Sequence, residues 1–145
     1  MPQIYPDEGL IQSLLNVVDN NGAGLVWALW VNDVEPDLDS ELLDFTPADS
    51  MWGQVRLKAV DFPNQMVNVH VGVIQATPIR FQNTGATSVD VYGYMAYDDV
   101  DDLLILVNRY VDAPIVLAAG GKLDLVPIVG DSSLVLTDVI DGGTF

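Results

Sequence analysis

Residues 83–128 read NTGATSVDVYGYMAYDDVDDLLILVNRYVDAPIVLAAGGKLDLVPI, and this stretch decides the fold class. Asn83-Thr84-Gly85 is a polar turn with a glycine available for positive φ. Ser88 to Tyr97 then alternates as a strand should, with Val89, Val91, Gly93, Met95 and Tyr97 on one face and Asp90, Tyr92, Tyr94 and Ala96 on the other. Gly93 in mid-strand predicts a bulge or the close approach of another backbone. Asp98 to Asp102 carries four carboxylates and must be an exposed turn, because clustered unpaired charges are not buried. Leu103 to Tyr110 is a buried strand, Ile115 to Ala118 a short one, and Lys122 to Val129 another. Pro127 in that last strand implies an edge position or a bulge.

The remainder extends the pattern. Leu10, Ile11, Leu14, Leu15 and Val18 recur at helical spacing, and Asp19-Asn20-Asn21-Gly22 ends the run, which predicts one helix over 7–19. Gly24 to Asn32 is a strand with both faces apolar, so it is covered on both sides. Trp27 and Trp30 lie on opposite faces and cannot enter the same core. One of them is therefore a candidate interface anchor, unless the N-terminal helix covers the second face. Asp33 to Asp49 holds seven acids, two prolines and no base, and reads as a long solvated loop with a short helical turn at 40–43. Gln54–Val60, Met66–Ile74, Pro78–Gln82 and Leu134–Ile140 complete the strands, with Asp141–Phe145 as a tail. Arg56 and Lys58 would suit the acidic loop just before them. Strands every 10 to 15 residues, with helical pattern only at the start, predict a single domain over 1–145. It is mainly β, an antiparallel β-sandwich or jelly roll over 24–140 behind one short helix.

Composition bounds the function. Five basic residues against 21 acidic ones give a net charge of −16. Phosphate binding on such a surface would cost Coulomb energy instead of releasing counterions, so neither nucleic acid nor an anionic membrane is an expected partner. Half the residues are hydrophobic and mean hydropathy is +0.30. No run approaches the roughly 20 apolar residues of a membrane helix. The apolar surplus suits either a dense core or interfaces between subunits. The chain has no cysteine, which excludes disulfides, thiol nucleophiles and Cys-based zinc sites. Met1-Pro2-Gln3-Ile4 lacks a basic n-region, so no signal peptide is expected. His70 is the only histidine, no G-x-S-x-G elbow is present, and no catalytic, cofactor or metal site is expected. The two acidic stretches are dense enough in oxygen to raise calcium, but DVEPDLDSELLD lacks the EF-hand glycine and ligand spacing.

The turn-and-strand pattern of 83–128 resembles small tailed-phage virion proteins of the capsid cement, or decoration, type. The residues that carry the resemblance are Asn83 and Gly85, Tyr92-Gly93-Tyr94, Leu103-Leu104 through Arg109-Tyr110, Ala113-Pro114, and Gly120-Gly121 with Leu123, Leu125 and Pro127. Pro6, Glu8 and Gly9 before the leucine-rich helix look similar too. The segment before Arg-aromatic in that family often carries a Trp and an acid, whereas here it is Val107-Asn108. The resemblance implies a β-sandwich made in the host cytoplasm that docks on the outer surface of an icosahedral head. There it would clamp neighbouring major capsid subunits, as a homotrimer on a threefold axis or a dimer on a twofold. The expected contacts are Trp27 or Trp30, Tyr92 and Tyr94, with Arg56, Arg80 and Arg109 pairing with acids across interfaces. The alternative is a carbohydrate- or receptor-binding sandwich, in which Trp30, Trp52, Tyr92 and Tyr94 stack on sugar rings.

Overall fold

The computed structural model describes residues 7–68 and 71–130, with side chains described for 11–63 and 73–130. His70, the expected strand at 134–140 and the tail after it lie outside the described residues.

The helix α1 (Asp7–Asp19) takes the span its periodicity predicts. It stops where Asn20, Asn21 and Gly22 all adopt positive φ, a conformation that Asn and Gly tolerate best. Among the described residues eleven strands follow, all in antiparallel pairs: β1 (Leu25–Trp30), β2 (Gln54–Leu57), β3 (Asn64–Asn68), β4 (Val71–Gln75), β5 (Ile79–Gln82), β6 (Val89–Val91), β7 (Gly93–Asp98), β8 (Leu103–Arg109), β9 (Ile115–Leu117), β10 (Lys122–Leu125) and β11 (Ile128–Gly130). They form one four-stranded sheet in the order β2-β1-β7-β8, a three-stranded sheet β11-β4-β3, and the pairs β10-β5 and β6-β9. The fold is mainly β and sandwich-like. One face of the four-stranded sheet shares a core with Val18 of α1, Ile74, Phe81, Val91, Leu117, Leu125 and Val129, which represent every other sheet.

Three stretches that alternate like single strands are divided. Ser88–Tyr97 splits at Tyr92: β6 pairs with β9, while β7 pairs with β1 and β8. Lys122–Val129 splits at Val126-Pro127, so that β10 joins β5 and β11 joins β4. Met66–Ile74 is a hairpin, with Asn68 opposite Val71. Alternation reports which side of the chain is apolar. It does not report which neighbour takes the hydrogen bonds, so a strand that changes sheets or reverses keeps its pattern.

The pattern residues of 83–128 meet in space. The Asn83 side chain is fully buried, donates to the carbonyls of Thr87 (2.9 Å) and Leu117 (3.0 Å), and accepts from the Gly85 N–H (2.9 Å). Its backbone N–H and carbonyl bond to Gly121 and Gly120, which ties the two turns together. Gly93 lies opposite both Trp30 and Arg109. A Cβ there would run into the Asn108 carbonyl oxygen and stand 2.7 Å from Trp30 Cζ2, so the close approach expected from the sequence is present. Gly93→Ala is therefore expected to destabilise the domain by about 3 kcal/mol. A urea midpoint equal to that of the parent protein would contradict this account of the β1–β7–β8 packing.

Candidate docking surface

The strand β1 is buried along its whole length, as its two apolar faces require. Leu25, Trp27 and Leu29 enter the main core, where Trp27 stacks on Tyr94 with ring centroids 6.4 Å apart. Ala28 and Trp30 enter a second, smaller core with Met95 and Phe45, flanked by Val34, Leu42, Tyr92, Leu104 and Val107. The acidic stretch supplies Val34, Leu42 and Phe45. The second face of β1 is thus covered by this stretch, while α1 packs on the opposite layer against β4.

Expected as a solvated loop, the acidic stretch is fixed by a sequence of specific bonds. Asn32 donates to the Asp44 carbonyl (2.8 Å) and accepts from the Thr46 N–H (2.7 Å), closing the loop at its base. The returning chain then runs beside β1, through Val31 N–H to Thr46 O (2.9 Å) and Ala48 N–H to Leu29 O (2.8 Å). Phe45 meets Trp30 edge-on at 4.9 Å, a geometry that adds about 1 kcal/mol to the burial of the two rings. The short helical turn spans Leu42–Asp44, starting two residues and ending one residue after the expected turn at 40–43.

Arg109 holds the loop from β8. It donates to the Val34 carbonyl (2.9 Å), pairs with Asp33 (2.8 Å) and Glu35 (3.6 Å), and lies 5.4 Å over the Tyr92 ring. Asp33 and Glu35 are 71% and 85% exposed, so water screens both ion pairs and each contributes little. The half-buried contacts dominate, namely the carbonyl bond and the aromatic ring. Arg109→Ala should lower stability by about 2 kcal/mol and speed limited proteolysis between Asp33 and Asp44. Unchanged cleavage there would mean that Arg109 does not retain the loop.

The expected contact residues fare unevenly. Trp27 and Trp30 are both 0% exposed, and neither presents surface to a partner; each face of β1 already has its cover inside the chain. Tyr92 and Tyr94 do not share a face. The break between β6 and β7 sends Tyr92 to the second core, stacked on Trp30, and Tyr94 to the main core between Trp27 and Tyr110. Burial raises the pKa of Tyr94, and burial with the nearby Tyr94 raises that of Tyr110. Trp27 Nε1 and Tyr110 Oη are buried without a hydrogen-bond partner among the described residues. Each of the three arginines finds an acid within the chain. Arg56 pairs with Asp99 in the second acidic stretch, not with the loop preceding it, and also donates to the Ala23 carbonyl (2.9 Å). Arg80 forms a two-point cross-strand pair with Asp124 (2.7 and 3.0 Å).

Much of the acidity serves local backbone structure. Asp19, Asp37, Asp44, Asp49, Asp61 and Asp98 each accept a backbone N–H two or three residues away, the bond that makes Asp a turn residue. Among the described residues no group of three or more His, Asp or Glu side chains converges to hold a metal ion.

The surface that results is anionic with apolar tips. Leu38 and Leu43 stand fully in solvent, at 104% and 94% exposure, on the acidic loop. Val100, Leu103 and Ile105 are exposed along the β7–β8 hairpin. The outer edge of β8 is blunted, because the register shifts between Ala96 and Tyr97 and leaves Ile105 without an opposite partner. No protein-family model, curated protein or solved structure matches this chain.

The Val100 N–H chiefly, then the Asn20 side chain and the Asp101 N–H, hold the Asp98 carboxyl below its ordinary pKa; Arg56 does the same for Asp99 and Arg80 for Asp124. A depressed carboxylate stabilises the fold above its unfolded pKa of about 3.9, and that contribution disappears as pH falls through the folded value. The difference in urea midpoint between the parent protein and Asp98→Ala should therefore be full at pH 7 and shrink below about pH 4. A difference independent of pH would show that the Asp98 charge is not what the turn uses.

Proposed function

We propose that this chain is a non-catalytic virion structural protein, a capsid cement protein that binds the outer surface of an icosahedral head and reinforces contacts between major capsid subunits. One observation carries the reading: an acidic loop is bonded rigidly over the four-stranded sheet and presents leucines outward. A preformed loop loses little conformational freedom on docking, which is what a clamp needs. The charge of −16 favours the outside of a shell over its DNA-lined interior. The scaffold character of the 83–128 pattern, whose turns bond to one another, fits the resemblance that first suggested this role. A homotrimer on a local threefold axis is the proposed form, with a dimer on a twofold as the alternative.

The sugar-binding alternative loses support at its aromatic residues. Trp30 is buried, Tyr92 has Trp30 stacked on it and Arg109 over its ring, and Tyr94 stacks on Trp27. Trp52, the fourth, is half-buried against the main core, so these four residues leave no exposed rack of rings for a sugar.

The deciding experiment combines mass spectrometry of purified virions with sedimentation of the protein on undecorated heads. The chain should appear in virions at a copy number set by the shell's symmetry, and the purified protein should be oligomeric by light scattering. A strict monomer that is absent from virions and stays in the supernatant would end the proposal.

A further inference from the structure

We propose that residues 37–44 form a docking epitope for a cationic protein surface with an apolar pocket, and that Leu38 and Leu43 are its anchors. The proposal rests on the cement reading above and names the face turned towards the shell.

Three observations carry it. The first is exposure: Leu38 and Leu43 bury nothing within the chain, although Val34, Leu42 and Phe45 of the same loop are anchored in the second core. The loop thus divides its apolar residues into those that hold it and those that it displays. The second is fixation. Asp37 accepts from Asp39 N–H (2.8 Å), Asp37 N–H donates to Ser40 Oγ (2.8 Å), and Glu41 N–H donates to Asp44 Oδ2 (2.8 Å), so both leucines sit on consecutive closed turns. Five residues apart, they are separated by no more than about 18 Å along the chain, within one partner surface.

The third observation is charge, and it selects the occupant. Asp37, Asp39, Glu41 and Asp44 surround the leucines, and no base lies between Asp33 and Asp49. A second copy is a poor occupant, because it brings another −16 and its three arginines already pair with its own acids. An anionic lipid surface is repelled for the same reason. A foreign protein surface bearing Lys or Arg around an apolar pocket satisfies both halves of the epitope. Charge speeds the encounter, and leucine burial supplies the residence time.

The test uses the intact chain and a short amphipathic peptide of Lys and Leu as the probe, followed by amide chemical shifts and titration at two salt concentrations. Shifts should concentrate at 37–44. The double variant L38S/L43S, which alters two almost wholly exposed side chains, should keep the parent urea midpoint and oligomeric state and bind the peptide at least about tenfold more weakly. A Lys/Ser peptide should lose a similar factor, and a Glu/Leu peptide should not bind. Shifts centred on the other acidic turn, Asp98–Asp102, would overturn the proposal, as would equal binding of the Lys/Ser peptide. Conversion of an oligomer to a monomer by L38S/L43S would also overturn it, since the loop would then be a contact between copies. If the parent protein fails to bind heads, the cement reading fails instead; only the peptide result decides the epitope.

Discussion

The contact of Trp30 with the bare backbone of Gly93 is the constraint on which the second core depends. The central strands β1 and β7 pair with Trp30 opposite Gly93, and the indole occupies the space that a side chain at 93 would take. The indole N–H is satisfied by the Tyr94 carbonyl at 3.2 Å, so the ring is buried without leaving a polar atom unpaired. With Trp30 lying against the sheet, Phe45 can close over it, and with Phe45 in place the acidic stretch must follow the sheet. Tyr92 is drawn onto the same indole as the chain crosses from β6 to β7, and Arg109 settles over Tyr92. A long loop with seven acids is held in one conformation by this chain of contacts.

The same arrangement explains how an acidic chain folds with so few bases. Its arginines are distributed one to each region: Arg56 to the 98–102 turn, Arg80 to the β5–β10 pair, and Arg109 to the acidic loop. Many of the remaining carboxylates face a backbone N–H, and that neutral donor stabilises a charge without requiring a cation. The acids are accordingly turn formers first and a surface potential second. The potential is a by-product with a consequence, since it surrounds the exposed leucines with negative charge.

The perturbed carboxylates lie in turns and cross-strand pairs, and each shift is explained by its own partner. The buried tyrosines are perturbed mainly by burial in the aromatic core that joins Trp27, Tyr94 and Tyr110. On the surface, the acidic loop is anchored over the sheet and leaves Leu38 and Leu43 exposed.

Local chemistry was legible in the sequence by itself. The helix followed from periodicity and its end from the Asp19-Asn20-Asn21-Gly22 stop signal, and the apolar double face of β1 required two covers. Gly93 announced a bulge or a close approach, and the antiparallel sandwich followed from the strand spacing. Only tertiary structure decided which cover lies on which face, and where a continuous alternation changes sheets, at Tyr92 and at Pro127. It also decided that Trp27 and Trp30 are both interior while Leu38 and Leu43 are not. The reason is physical. A side chain's identity records that it prefers burial, but the choice between a fold's own core and a partner's pocket depends on which distant segment arrives to cover it. That choice is made by packing between residues remote in the chain, and no local pattern encodes it.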